Sequence, residues 1–326
     1  MDYMLVSLAA TIVFAAVSIP LHELGHLFFG RLTGYRLVMF RFFVWVIYRD
    51  EGRWTIRTCR TGMPLTAQCQ MIPDVSEDRF RFGWYNAGGV IVNVILAMIC
   101  FTVWAVVDIT SLWAIVWFVG LVINTALVIV NGVPISKELM TDGWNMKEAM
   151  RSDVSRGDLY RVFRITGAQA DGVTSAEMPA EWFDAPGGKP PDSTFGWVRV
   201  MMSADRLAAI GDREEAVATY ASIDVSRLPR FYAGNVLAEL WYAQLVYGLG
   251  PQIDPNRMPK PLKAFMKMTI PTAFRLKAAI AAFVHHDPLE AHAMLDRARA
   301  ALPGAGSEGL IVMERAEIDE LMTRIQ

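Results

Sequence analysis

The sequence predicts a mainly α-helical chain in two parts: a polytopic helical membrane domain, with three core spans and short interfacial β-strands, and a soluble α-helical, repeat-like domain. Three observations predict it. Of 326 residues 53% are hydrophobic and only 20% charged, with mean hydropathy +0.29; a soluble domain is nearer 45–50% apolar and about 25% charged. The apolar surplus lies in the first 136 residues, whereas the remainder has an ordinary soluble composition. Three stretches in that first part are long enough to cross a bilayer, which takes about 20 apolar residues.

The first span runs from about Met4 to Gly30. No basic residue precedes it and no small-x-small cleavage site closes it, so it reads as a retained span and not a signal peptide. The second, Gly83 to Val107, has no charged residue, and the third, Ile109 to Ser136, has none before Lys137. Only a turn around Asp108 separates them, which predicts a helical hairpin. Between the first and second spans stand nine arginines, Arg31, Arg36, Arg41, Arg49, Arg53, Arg57, Arg60, Arg79 and Arg81. The other side offers Asp2 and Asp108, so the excess of basic residues places the N-terminus outside and everything after Ser136 in the cytoplasm. Leu37 to Tyr48 is apolar apart from Arg41 and too short to span, and Arg53 to Thr58 alternates with period two. Two or more short strands at the cytoplasmic interface are expected there.

The net charge of −2 gives no footprint for nucleic acid. Cys59, Cys69 and Cys100 are odd in number and lack metal-type spacing, so no disulfide framework is implied.

His22-Glu23-Leu24-Gly25-His26 is a His-Glu-x-x-His pattern within the first span. Four residues of helix turn through about 400° and return to the same face. Both imidazoles can then meet one metal ion, with Glu23 beside them to handle a water. Titratable groups inside an apolar span are costly and usually mark function. A catalytic zinc normally takes three protein ligands, and the third must lie on the same side of the membrane. After Asn131-Gly-Val-Pro134 the chain turns back to Thr141-Asp142-Gly143, which offers Asp142; the other reading of Asp142 is a helix N-cap at the membrane surface.

These motifs resemble the site-2 protease family of intramembrane zinc metalloproteases. Its His-Glu-x-x-His helix, its Gly-rich helix start followed by Asn (Ala87-Gly88-Gly89 and Asn93), and its Asn-x-x-Pro before Asp-Gly occur here in order over about residues 4–145. Ile135 to Met140 is about three residues longer than the family's usual interval, Trp144 replaces a second Gly, and Gly89 stands where many relatives have Pro. The resemblance implies an endopeptidase that cuts membrane-anchored protein or peptide substrates within the lipid bilayer. Zn²⁺ would be held by His22, His26 and Asp142, with Glu23 as general base. It further implies interfacial strands able to pair with an extended substrate. Asn93 and Asn131 become candidates for substrate backbone or oxyanion binding, or equally for hydrogen bonds between spans.

Residues 1–145 are then the protease core, and 146–195 a helix and a linker rich in Pro and Gly, with Pro179, Gly187-Gly188 and Pro190-Pro191. Residues 196–326 form a cytoplasmic helical domain. Gly211 to Ala216 with Tyr220, and Ala291, Leu295, Ala298 and Pro303, resemble second halves of tetratricopeptide units; a generic helical domain is the other reading. Phe231 to Gly250 carries Asn235, Glu239 and Gln244 and reads as a buried soluble helix. His285, His286 and His292 read as surface residues. The alternative function is a non-catalytic membrane scaffold recruiting a cytoplasmic protein partner through 196–326; an intact Glu23 favours the enzyme.

Overall fold

The computed structural model of the chain describes residues 3–50, 53–58, 67–134, 138, 140–184, 190–304 and 307–325. Cys59, Arg60, Ile135 to Lys137 and Gly187-Gly188, which figure in the readings above, lie outside the described residues. The chain is mainly helical with one small antiparallel sheet, and it divides into two compact units, 1–150 and 151–326.

The first unit is built on α1 (Tyr3–Leu32), α2 (Phe82–Val106) and α3 (Leu112–Gly132). All three helices are long and apolar enough to cross a membrane. Their packing inverts that of a soluble protein. The buried positions are small or polar: Ala10, Ser18, His22, Gly25, His26 and Gly30 on α1, Asn86, Gly88, Gly89, Asn93 and Cys100 on α2, Ala114, Gly120 and Asn124 on α3. The exposed positions are large and apolar, among them Leu8, Ile12, Phe28, Ile95, Met98, Phe101, Trp113 and Val122. At most 17% of each apolar window is buried. Small residues let helix backbones approach, and α1 meets α2 at Gly25 and Gly88, where a Cβ on either would run into the other's carbonyl oxygen.

Between α1 and α2 lie β1 (Tyr35–Phe42), β2 (Trp45–Asp50), β3 (Arg53–Thr58) and β4 (Ala67–Pro73), in the order β3-β2-β1-β4 with every pair antiparallel. The β1, β2 and β3 strands match the two segments expected to be extended. β4 falls in none of the segments expected to be extended: Ala67-Gln-Cys-Gln-Met alternates apolar and polar residues but is short and lacks β-branched ones, and it is held by pairing with β1. β4 and β1 pack on α1, burying Val38, Phe40, Cys69, Met71 and Ile72. On β2 and β3, Trp45, Ile47, Trp54 and Ile56 share one face by register, with Ile47 opposite Ile56. A short α4 (Asp142–Ala149) completes the unit and packs on α2 and α3.

The second unit comprises α5 (Asp153–Ala170), α6 (Thr194–Ala209), α7 (Arg213–Ala221), α8 (Arg230–Tyr247), α9 (Lys260–Phe265), α10 (Pro271–Phe283), α11 (Pro288–Ala301) and α12 (Glu308–Arg324). Successive helices pair as α6 with α7, α8 with α9 and α10 with α11. The first hairpin turns at Gly211 in the left-handed region (φ +88°). α8 is the central core helix, burying Val236, Leu240, Trp241 and Tyr242, as its polar residues indicated. Two expectations need correction. Among the described residues of the segment read as a linker, Met178 and Phe183 are buried against Ile165 of α5, and the unit boundary falls at 150, after α4. Composition does not tell a packed irregular segment from a free one. Nor do the hairpins form an open array, in which each repeat would touch only its neighbours; α12 packs on α5, α10 and α11, burying Ile318 and Leu321.

Inside this unit Arg275 is shared by several carboxylates. It lies 2.7 Å from Glu239, 3.2 Å from Glu314 and 3.8 Å from Glu317, over the ring of Tyr242. Burial, offset by Arg275 but reinforced by Glu314, Glu317 and Asp205, pushes Glu239 up to about 7. Burial likewise pushes Asp205, which accepts from the Tyr220 hydroxyl, up to about 6. Both hold a proton when folded that the unfolded chain releases near pH 4, so stability is greatest at low pH and is lost as pH rises through 6 and 7. The unit's thermal midpoint is expected to fall by several degrees between pH 5.5 and pH 8. A midpoint that rises over this interval would contradict the assignment.

Candidate metal centre

The site assembles where α1, α2 and the start of α4 converge. His22 and His26, one helical turn apart on α1, are both buried. Asp142 is the first residue of α4, with Thr141 at the N-cap. It is delivered by a close contact: a Cβ on Gly143 would run into the carbonyl oxygen of Gly132 at the end of α3. Only glycine lets α4 seat there, so the longer interval before Asp142 does not keep the carboxylate from the histidines.

Three donor atoms face one another. His22 Nε2 is 3.2 Å from His26 Nε2 and 3.2 Å from Asp142 Oδ2, and His26 Nε2 is 3.3 Å from the same oxygen. Ligands about 2.0–2.1 Å from a tetrahedral centre are separated by about 3.3–3.4 Å. An octahedral centre with the same bond lengths would bring neighbouring ligands to about 3.0 Å. The triangle therefore has the dimensions of a tetrahedral site with a fourth corner to spare. Among the described residues this is the one group of three His, Cys, Asp or Glu able to hold an ion. Gly89 keeps it open: a Cβ there would lie 2.5 Å from His22 Nε2 and 2.6 Å from His26 Nε2.

Each imidazole is held by its other nitrogen. His26 Nδ1 is 2.8 Å from the carbonyl of Tyr85, which can only accept, so Nδ1 carries the proton and Nε2 presents its lone pair. His22 Nδ1 is 2.5 Å from Asn93 Oδ1. Glu23 is not a corner of the triangle; its carboxylate accepts from the backbone N–H of Cys69 on β4 at 2.7 Å. The Cys69 carbonyl accepts from the Tyr85 hydroxyl at 2.8 Å. Both main-chain groups of Cys69 thus point away from β1, and the open edge of β4 faces Glu23.

Of the residues expected at the site, His22, Glu23, His26, Asn93 and Asp142 are brought together. The main chain of Asn131 lies against Gly143, beside Asp142, while its side-chain amide donates to Leu127 on its own helix at 3.1 Å. The sequence reading passed over Tyr85, Cys69 and Asn124. The first two act through main-chain groups, which leave no residue-type signal. Asn124 did leave one, being one of two amides in an apolar helix, two turns before Asn131. It is fully buried against Asn93. Comparison with family models, curated proteins and solved structures gives no match.

Proposed function

We propose that the chain is an intramembrane zinc endopeptidase of the site-2 protease type, cutting membrane-anchored substrates. One observation carries this reading: three donor atoms at tetrahedral spacing, 3.2 to 3.3 Å apart, beside a carboxylate that is not among them. His22, His26 and Asp142 would hold the zinc. Zinc bound there would polarise the scissile carbonyl and acidify a water. Glu23 would take the proton from that water and return it to the leaving amine. Its carboxylate is aimed by the Cys69 N–H, so the same strand that positions the base presents an edge to the substrate. An extended peptide added along β4 would gain main-chain hydrogen bonds next to Glu23.

The lipid bilayer is the solvent that the outward faces of α1, α2 and α3 call for, since large apolar side chains cover them. Trp84 and Trp113, both exposed, suit the interfacial belts. The distribution of arginines supports an outside N-terminus and a cytoplasmic second unit, which would select or regulate substrate.

Purified protein is expected to carry about one zinc per chain. His22→Ala, His26→Ala and Asp142→Ala should lose it. Glu23→Gln should keep the zinc and cleave a transmembrane peptide at least about a hundredfold more slowly. Metal analysis finding full zinc in both histidine variants would remove the site.

A further inference from the structure

We infer that Asn124, on α3, is a positioning residue for His22, acting through Asn93 on α2; the inference rests on the metal-centre reading above. A chain of hydrogen bonds runs from His22 Nδ1 to Asn93 Oδ1 at 2.5 Å, from Asn93 Nδ2 to Asn124 Oδ1 at 3.0 Å, and from Asn124 Nδ2 to the carbonyl of Gly120 at 2.9 Å. His22, Asn93 and Asn124 are all buried, the two asparagines fully.

The chain has a direction, and its last link sets it. A carbonyl oxygen can only accept, so the Asn124 amide must turn its NH₂ to Gly120. Its oxygen is then left to accept from Asn93, whose own oxygen is left for His22. The proton must sit on His22 Nδ1, and Nε2 must present a lone pair. His26 reaches the same state through one bond to the Tyr85 carbonyl. His22 Nδ1 meets the side-chain amide of Asn93 on α2 in place of a main-chain carbonyl, and two amides carry the polarity across from Gly120. With both neutral rings in this tautomer, three acceptors (two Nε2 atoms and Asp142 Oδ2) face one another, an arrangement that a metal cation relieves, as does a further proton on one imidazole.

Without Asn124 the Asn93 amide is free to rotate and offer its NH₂ to His22 Nδ1. The proton then moves to Nε2 and closes one corner of the triangle. Asn124→Leu keeps the branched shape, with a larger volume, and removes the relay. Asn124→Asp restores it, because a carboxyl in this apolar setting stays protonated, donating to Gly120 and accepting from Asn93.

The test reads tautomers first, without metal. In chain whose other histidines, His285, His286 and His292, are replaced by glutamine, ¹⁵N spectra of the zinc-free protein should show Nδ1–H for both His22 and His26. In Asn124→Leu, His22 should shift wholly or partly to Nε2–H while His26 stays unchanged, and Asn124→Asp should match the parent. Zinc affinity, measured against a chelating dye, should fall about 10–100-fold in Asn124→Leu and recover in Asn124→Asp. Nε2–H on His22 in the parent overturns the relay without any variant. So does an unchanged His22 in Asn124→Leu, or an equal affinity loss in both variants. Should the parent fail to bind zinc yet show these tautomers, the relay stands and the proposed function falls.

Discussion

Gly89→Ala is expected to abolish zinc binding in a protein that remains folded. The added methyl carbon would sit 2.5 Å from Cε1 and Nε2 of His22 and 2.6 Å from Nε2 of His26, inside the contact distance of any carbon and nitrogen. Something must move, and moving α2 away from α1 would break the close backbone packing at Gly25 and Gly88. The imidazoles turn instead, and with them the two nitrogens the ion requires. The affinity loss should exceed about a hundredfold, more than removal of a partner one shell out produces. Gly83→Ala, on the same helix with nothing within 4 Å of the new carbon, should bind zinc as the parent does. Parental stoichiometry and affinity in Gly89→Ala would show that the donor triangle is not where the metal sits.

The second large effect is expected in the helical unit, at Arg199. Its side chain and that of Asp158 are each 1% exposed, with Nε 2.7 Å from Oδ1, and Nη1 donates to the carbonyl of Phe183 at 2.6 Å. This pair ties α5 to α6 and clamps the segment read as a linker. Arg199→Met leaves a buried carboxylate without its cation and should cost about 3–5 kcal/mol. Burial already pushes Asp158 up, with Arg199 opposing it. With the cation gone the folded-state value climbs further above the unfolded one. The variant's deficit should therefore be smallest in acid and grow as pH rises through that value. The double variant Asp158→Leu/Arg199→Met should regain most of the loss, since two apolar side chains need no compensation. Hydrogen exchange in α5 and α6 of the full chain measures all three. An Arg199→Met protein exchanging like the parent at pH 7 would mean the pair is not a tie.

Much of this architecture was legible in the residues. The three apolar helices follow from run length alone, because a bilayer-length apolar stretch has few other uses. His22 and His26 share a face because four residues of helix bring any pair round. The sheet was partly legible: β3 shows alternation and β1 and β2 fall in a short apolar stretch, whereas β4, although Ala67 to Met71 alternate, is too short to stand out and is held by pairing with β1. In the second unit, Met178 and Phe183 look like loop until the side chains that cover them are known.

The sequence by itself determined the apolar helices, the pair of histidines on one of them, and the presence of a further carboxylate after the third. These are local properties, set by helix geometry and by the solvent each segment prefers. Only the tertiary structure decided that Asp142 closes a triangle of tetrahedral size, that Asn93 meets His22, and that Asn124 stands behind it. It also decided that Cys69 aims Glu23 from a strand that pairing creates. Each depends on which backbones approach within contact, at Gly25 with Gly88 and at Gly132 with Gly143, and on where a main-chain carbonyl or N–H happens to point. Glycines record such approaches only as missing side chains, and main-chain groups are common to every residue, so the partner appears when the helices are packed.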